Sequence, residues 1–396
     1  MSAAVKPAKG TSGKGGAREL FGLRSFFGRH QSLSILVIVI VIAIILPVLA
    51  LVPPFSGFGT QKDWVAGFAQ AGVFVLLALG LNVVVGFAGL LDLGYAAFFA
   101  IGAYTFAYAA SGWTGLDIAF WPMLLVGAVV AAVFGVLLGA PTLRLRGDYL
   151  AIVTLGFGEI VPVVFLNADK YTNGTNGITG ISQPNAYGLF GINGFGFTNP
   201  WPYYVTILII ITIVVMLLYR IQDSRLGRAW VAIREDELAA ASMGINTTTT
   251  KLLAFAIGAS TAGLAGVYYS AKLGSVTPDQ FKFDVSFTAL AMVVLGGMGN
   301  IWGVAAGALI VYELQGQGLA QLDAFVKSLN LPAIGPIDLS KIDFISLKYL
   351  IYGFVLVLMM LLRPEGLFPS RRRRRELHEE PAEDVLTSPD PTGERA

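Results

Sequence analysis

The sequence contains no cysteine, and this absence excludes disulfides, thiolate metal sites and cysteine nucleophiles. Histidine is almost as scarce. The two histidines, His30 and His378, lie in the terminal regions of the chain. Because histidine is the commonest metal ligand and a frequent acid–base group, we expect neither a metal site nor histidine-based catalysis between these regions.

A phosphate-binding loop of the form Gly-x-x-x-x-Gly-Lys-Ser/Thr is also missing. The nearest stretch, Gly13-Lys14-Gly15, has neither the hydroxyl residue nor a preceding strand. We therefore expect that the chain does not hydrolyse ATP, that it carries no cofactor and that it is not an enzyme.

Charged residues make up only 13% of the 396 residues, whereas 55% are hydrophobic and the mean hydropathy is +0.70. Soluble domains average about 25% charged residues. Between positions 31 and 219 most charges fall at the ends of apolar runs: Lys62, Asp63, Asp92, Asp117, Arg144, Arg146, Asp148, Glu159, Asp169 and Lys170. This distribution predicts a polytopic membrane protein.

The apolar runs give the expected fold, an all-α transmembrane bundle of about ten segments spanning residues 32–369. Most of the runs are long enough to cross about 30 Å of hydrocarbon. They are approximately Ser34–Val52, Trp64–Val85, Leu93–Ala110, Ile118–Leu138, Tyr149–Leu166, Tyr203–Leu218, Leu252–Tyr269, Phe287–Leu295, Ile301–Tyr312 and Tyr349–Leu362. The two short runs around position 297 predict half helices, or tilted helices, that meet at a break.

Two glycine-rich interruptions form a weak internal repeat. Gly86-x-x-Gly89 is followed by Gly94-x-Ala-Ala97, and Gly296-x-x-Gly299 is followed by Gly303-x-Ala-Ala306. Repeated broken helices are typical of transporter permeation paths. Glycine used only for helix packing is the alternative. The candidate path residues are Gly86, Gly89, Asp92, Tyr95, Thr154, Glu159, Gly296, Gly297, Gly299 and Asn300.

Glu159 is the one acid well inside a predicted span, where a carboxylate is costly. It is interpreted either as a functional group or as a hydrogen-bonded bridge between helices. Asp92 lies in the first break, and we favour a capping role for it over substrate contact. Pro162 is expected to kink the span that carries Glu159.

Lysine and arginine placement predicts the orientation. Basic residues crowd the first 31 residues, the loop at 143–146, the Arg220–Lys251 loop and the region after Leu362. We expect these parts in the cytoplasm, with disordered tails at 1–31 and 370–396, and the stretches 167–201, 274–285 and 315–347 outside. The run Arg371–Arg375 favours contact with anionic lipid over nucleic acid. The expected location is the inner membrane of a prokaryote.

The stretch from Asp223 to Gly244 is the one long, charge-dense, helix-forming segment between two strongly apolar runs. Asp223 or Ser224 can cap its first turn, and Gly244 suits the left-handed residue that closes a helix. Trp230 and Ile233 share a face, so the predicted amphipathic helix offers an apolar knob with a charged rim. An ordinary solvated loop helix is the alternative.

This stretch resembles the coupling helix of ABC importer permeases, specifically the branched-chain amino acid permeases. The resemblance rests on Gly227-Arg-Ala-Trp-Val-Ala-Ile-Arg-Glu-Asp-Glu237 with Ala239, Ala240 and Gly244, and departs at Leu238, where the general importer signature has Glu. It implies that Arg228, Trp230, Ile233, Arg234, Glu235, Asp236, Glu237, Ala239, Ala240 and Gly244 couple the chain to ATPase subunits.

Other motifs extend the resemblance from about position 35 to 369. They include Gly89-Leu-Leu-Asp-Leu-Gly-Tyr95, Leu145-Arg-Gly-Asp-Tyr149 through Val161, Val293–Gly299 and Arg363-Pro-Glu-Gly-Leu367. Pro162 departs from the family, which often has Arg there. The implied partners are two ATPase subunits, a second homologous permease and an external amino-acid-binding protein, beside membrane lipid and without nucleic acid.

The function implied is ATP-driven import of branched-chain or related amino acids. An ion-coupled secondary transporter is the alternative, with Glu159 and the broken helices as its ion site. That alternative requires more polar groups within the membrane than this chain supplies and gives the 223–244 segment no role. A scaffold without transport activity would not need paired glycine breaks.

Overall fold

The computed structural model describes residues 61–142, 148–184, 194–196, 198–318, 347–363 and 366–368, and the single residues Val41, Ile45 and Pro47. The predictions for both tails, for most of the first apolar run and for the basic residues at 143–146 fall outside these residues. So do those for 319–346 and for parts of the 167–201 stretch.

The described part of the chain is mostly helical, as predicted. The helices are α1 (Gln61–Asn82), α2 (Ala96–Ala110), α3 (Phe120–Thr142), α4 (Asp148–Asn167), α5 (Asp169–Thr172), α6 (Trp201–Gln222), α7 (Arg225–Glu235), α8 (Glu237–Ser242), α9 (Thr247–Leu273), α10 (Phe283–Gly296), α11 (Ile301–Glu313) and α12 (Lys348–Leu362). Shorter helical turns lie at Val83–Phe87, Gly174–Asn176, Pro278–Phe281 and Leu314–Gly318. A small antiparallel sheet pairs β1 (Ile178–Thr179) with β2 (Ser275–Val276).

Five helical segments of the described residues are long and apolar enough to cross a membrane: Gln61–Phe87, Phe120–Thr142, Tyr149–Asn167, Trp201–Gln222 and Thr247–Leu273. The apolar helices α2, α10, α11 and α12 are shorter, with 15, 14, 13 and 15 residues. Helices of this length fall short of the roughly 20 residues that a full crossing needs.

The core forms where α9 packs against α2 and α3 at very short range. A Cβ atom added to Gly102 on α2 would lie 2.5 Å from the Cα atom of Gly263 on α9, and one added to Gly263 would lie 2.6 Å from the Cβ atom of Ala131 on α3. Small residues permit such close helix contacts in a membrane, where van der Waals packing supplies much of the association energy.

Helix α1 lies at the centre of the bundle and contacts α6, α9 and α11. Its apolar side chains point in every direction, and 89% of its apolar stretch is buried. A helix that is apolar all round is expected to be enclosed by other helices. This central position determines which elements the first glycine break can contact.

The two ends of the bundle differ. Helix α9 begins next to α8 and, 27 residues later, ends just before β2. At a rise of 1.5 Å per residue, the length of α9 separates α7 and α8 from the β1–β2 sheet by about 40 Å. We call these the α7–α8 end and the sheet end.

Both predicted glycine breaks are present. The first begins with a π-helical turn at Val83–Phe87 and continues without regular structure to α2, with Gly89 at φ +70°. The second separates the half helices α10 and α11, with Gly297 at φ +109°. Leu367 and Phe368 donate backbone hydrogen bonds of 2.8 and 3.3 Å to the carbonyl oxygens of Leu295 and Gly296, so the segment after α12 closes the second break.

Candidate functional site

The Asp223–Gly244 segment forms two helices, so the prediction of one continuous helix is wrong. Ser224 caps α7 by accepting hydrogen bonds from the amides of Leu226 and Gly227. Asp236 is extended, with φ −153°, and its carboxylate accepts bonds of 2.8 and 3.0 Å from the amides of Leu238 and Ala239. Because this carboxylate caps the start of α8, it separates the two helices.

The far end of the segment agrees with the prediction. Gly244 has φ +87°, the left-handed conformation that favours glycine after a helix. The side chain of Asn246 then accepts from the amide of Thr249 and caps α9.

Trp230 and Ile233 do not form an exposed knob, and that prediction is wrong. Trp230 is 0% exposed and Ile233 is also buried. The indole Nε1 of Trp230 donates a 2.8 Å hydrogen bond to the carbonyl oxygen of Thr250 in the first turn of α9. The apolar face of α7 therefore packs against its own chain, because the first turns of α9 are close enough to cover it.

Other residues form the exposed surface of α7 and α8. Met243 and Leu238 are 84% and 66% exposed, and Leu226 is also exposed. The predicted rim residues Arg228, Glu235 and Asp236 are exposed as well, and so is Ala239 of the predicted coupling motif. We call this set, Leu226, Arg228, Glu235, Asp236, Leu238, Ala239 and Met243, the α7–α8 surface.

Glu237 is half-buried and Ala240 is buried. The carboxylate of Glu237 lies 2.6 Å from the ammonium of Lys251, which is itself buried. This ion pair helps to fix α8 to the start of α9.

Arg234 connects α7 to the first glycine break. Its Nη1 atom donates a 2.7 Å hydrogen bond to the carbonyl oxygen of Gly86. Its aliphatic stem lies on Gly89, where an added Cβ atom would be 2.7 Å from the Cγ atom of Arg234. The sequence places these residues in two separate motifs and gives no signal that they meet.

The two glycine breaks contact each other. The Oδ1 atom of Asn82 accepts a 2.9 Å hydrogen bond from the amide of Gly299, and a Cβ atom added to Gly86 would lie 2.7 Å from that same amide nitrogen. Asn300 donates through Nδ2 to the carbonyl oxygen of Phe368, and Gly297 lies against Gly366. Sequence reasoning missed Asn82, although a fully buried amide at the end of an apolar run was the signal for it.

Asp92, Tyr95 and Thr154 lie around the second half of the first break. Asp92 accepts a 2.9 Å bond from the amide of Gly94, so it stabilises the turn that leads into α2 and does not cap the helix itself. Leu93 donates to the Thr154 hydroxyl at 3.1 Å. The hydroxyl of Tyr95 donates to the carbonyl oxygen of Gly258 on α9 at 2.8 Å.

Glu159 points away from both breaks. Its neighbour Gly158 packs on Gly94, whereas Glu159 is exposed and lines a shallow groove of 440 Å³ with Ile160, Val163, Val164, Asn167 and Ala168. Helix α4 continues through Pro162.

The Asp279 carboxylate lies 2.7 Å from the Lys282 ammonium and raises the pKa of Lys282. The charges of Asp284 and Glu159 act on this pKa in the same direction.

The sequence matches the profile of one protein family, described as "Branched-chain amino acid transport system / permease component", over residues 64–360. The chain belongs to this family. The match includes both glycine breaks, α4, α7 and α8 and most of α12. Of the motifs that carried the resemblance, Arg363-Pro-Glu-Gly-Leu367 lies beyond its end and the others fall within it.

Several curated relatives resemble this permease. A protein of Salmonella typhimurium named "High-affinity branched-chain amino acid transport system permease protein LivM" is 41% identical over 77% of this chain and 70% of its own length. The Escherichia coli protein of the same name is 40% identical over the same shares. The Salmonella typhimurium permease protein LivH is 27% identical over 66% of this chain and 87% of its own length. No solved structure matches the chain.

Proposed function

We propose that this permease is a transmembrane subunit of a binding-protein-dependent ABC importer that moves branched-chain or related hydrophobic amino acids into a prokaryotic cell. The family match and the relatives named for this substrate class support the proposal. Separate ATPase subunits supply the energy, because the sequence has no phosphate-binding loop.

The observation that carries the proposal is the α7–α8 surface. It combines exposed apolar side chains with charges of both signs, a composition suited to a protein partner. We propose that the ATPase subunits bind this surface through Leu226, Leu238 and Met243, with Arg228, Glu235, Asp236 and Ala239 at the rim. Trp230, Ile233, Arg234, Glu237, Ala240 and Gly244 hold the surface in place.

The proposed orientation puts both tails and the α7–α8 end in the cytoplasm and the sheet end outside. Basic residues near the α7–α8 end support it.

The proposed count of about ten membrane segments comprises the apolar helices described above and the run at 34–52, with α10 and α11 counted separately. Single cysteines at Ser242 and Asn173, introduced into this cysteine-free chain, should label from opposite sides of the membrane; labelling from one side would refute the orientation.

We propose that a second, homologous permease covers the outward face of α4. This face exposes Tyr149, Ile152, Ile160, Val163 and Val164 around the Glu159 carboxylate. The outward face of α3 exposes apolar residues alone, Leu125, Val126, Val129, Val133, Phe134 and Leu137, and suits lipid. A carboxylate facing hydrocarbon costs several kcal/mol, so protein or a water-filled path is the more favourable neighbour for α4.

The substrate path is proposed to run beside the two joined glycine breaks. Transporter sites commonly lie where broken helices meet, since non-helical backbone is tolerated only where protein or water covers it. A soluble binding protein is proposed to deliver the amino acid to the sheet end.

Reconstitution tests the proposal. Vesicles are prepared with this permease, its partner permease and the ATPase subunits. They should accumulate labelled leucine only when ATP is enclosed inside them, where the ATPase subunits can use it, and the binding protein is present outside. The matched control omits the ATPase subunits alone. Uptake driven by a sodium or proton gradient in that control would favour the secondary transporter and overturn the proposal.

A further inference from the structure

Arg234 joins two parts of the molecule that are far apart in sequence. It lies in the last turn of α7, next to the α7–α8 surface, and its guanidinium donates to the carbonyl oxygen of Gly86 at 2.7 Å. The donor and the acceptor are 148 positions apart. The hydrogen bond therefore crosses from the α7–α8 end to the first glycine break.

The Gly86 carbonyl is accessible because of the way α1 ends. The amides of Ala88 and Leu90 bond to the carbonyl oxygens of Val83 and Val84, and the chain then leaves the helix. Carbonyls in the last turn of a helix lack amide partners from following turns. The planar guanidinium of arginine is suited to such an acceptor, and a hydrogen bond from a charged donor is stronger than a neutral one.

The contact extends to the second break. Gly86 lies directly against the amide of Gly299, and Asn82, one turn before Gly86, binds that amide through Oδ1. Glycine at both positions leaves no side chain between the two backbones. A displacement of Gly86 must therefore displace the start of α11 as well.

Two side-chain hydrogen bonds, one turn apart, join α7 to α9 and to the end of α1. Trp230 binds α9 through the carbonyl of Thr250, and Arg234, four residues later on the same face, binds the end of α1. A rotation of α7 about the buried Trp230 contact moves Arg234 and, with it, the Gly86 carbonyl.

We propose that Arg234 is a positioning residue that transmits movement of the α7–α8 surface to the joined glycine breaks, and so sets how much substrate is moved for each ATP hydrolysed. This inference rests on the proposed function. It predicts a change in coupling, whereas a purely structural role predicts a loss of stability or assembly.

The test uses Arg234→Met in the reconstituted importer, with uptake, ATP hydrolysis, retention of the ATPase subunits and thermal melting measured together. We expect retention, melting and hydrolysis close to wild type and a fall of about tenfold in leucine moved per ATP, within the usual range of coupling between sites. Arg234→Lys keeps the stem and one donor and should recover part of this ratio. Arg220→Met, an exposed arginine at the end of α6, is the matched control and should leave the ratio unchanged.

A cysteine pair gives an independent test. A Cβ atom at Gly89 would lie 3.2 Å from the Cβ atom of Arg234, slightly less than the roughly 3.5–4.5 Å found in disulfides. Because Gly89 has φ +70°, the Gly89→Cys single variant is the control for backbone strain. The double variant Gly89→Cys, Arg234→Cys should be uncoupled when reduced and should regain transport per ATP when oxidised, because the disulfide replaces the lost contact.

Three results would overturn the inference. The first is an unchanged ratio of transport to hydrolysis in Arg234→Met, and the second is the same ratio in the oxidised and reduced cysteine pair. The third is a loss of ATPase subunits in proportion to the loss of uptake, which would make Arg234 part of docking alone. Failure of the proposed function itself is distinguishable, since the wild-type assembly would then show no ATP-driven uptake.

Discussion

The Oδ1 atom of Asn82 accepts a hydrogen bond of 2.9 Å from the backbone amide of Gly299. This contact brings the two glycine breaks together and leaves Gly86 no room for a side chain. The breaks therefore form one structural unit, although 217 positions separate the two residues.

The first prediction concerns that unit. Gly86→Ala places a methyl group 2.7 Å from the Gly299 nitrogen, which forces the breaks apart and should lower the free energy of unfolding by about 1–3 kcal/mol. Thermal melting of the purified permease measures the loss. Gly156→Ala on α4 is the matched control, because nothing lies within 4 Å of its added methyl group. Equal melting of the two variants would contradict the contact.

The second prediction concerns Trp230. Because its indole is fully buried and bonded to α9, Trp230→Ala should reduce the free energy of unfolding by about 3–5 kcal/mol. Trp230→Phe keeps most of the packing and should lose less. If Trp230→Ala melts like wild type and loses only the ATPase subunits, the indole acts at the partner surface after all.

The third prediction concerns docking at the α7–α8 surface. Leu238→Glu puts a carboxylate where we propose an apolar contact, and it should weaken ATPase binding about tenfold without changing melting, because Leu238 is exposed in the permease. Co-purification of the ATPase subunits checks this. Leu116→Glu, an exposed leucine at the sheet end, is the control and should retain them. Equal retention by both variants would remove Leu238 from the interface.

The fourth prediction concerns Glu159. Its exposed side chain should make Glu159→Ala nearly neutral for the isolated permease, within about 0.5 kcal/mol. In the assembled importer the same variant should reduce transport or association with the second permease, while Glu159→Gln should keep most activity through hydrogen bonding. Val129→Ala, on the outward face of α3, should affect neither. Wild-type transport and association in Glu159→Ala would exclude a role for the carboxylate at that face.

Local signals in the sequence were sufficient for the helices and the breaks. Long apolar runs predicted α1, α3, α4, α6 and α9, and glycine between short runs predicted the division into α10 and α11. These features depend on composition and spacing within one segment. The cap at Asp223 or Ser224 and the closing Gly244 were predicted for the same reason, since helix capping is a local interaction.

Contacts between distant segments could not be read in this way. The spacing of Trp230 and Ile233 shows that they share a face, but it does not show that α9 covers that face. Glu159 lies inside an apolar run, yet the side of α4 that it occupies depends on how α2 packs. Arg234 was assigned to the charged rim, and its bond to Gly86 depends on the position of α1.

The closure of the second break by residues 366–368 has a consequence for biosynthesis. The carbonyl oxygens of Leu295 and Gly296 receive their partners from Leu367 and Phe368, and Asn300 bonds to Phe368, which follows it by 68 positions. While the ribosome is still making the intervening chain, the carbonyl oxygens of Leu295 and Gly296 lack these protein partners, and buried backbone groups without partners are costly. The half-helix pair is thus a late-maturing part of the protein, completed only when α12 has been inserted and the chain has turned back to it.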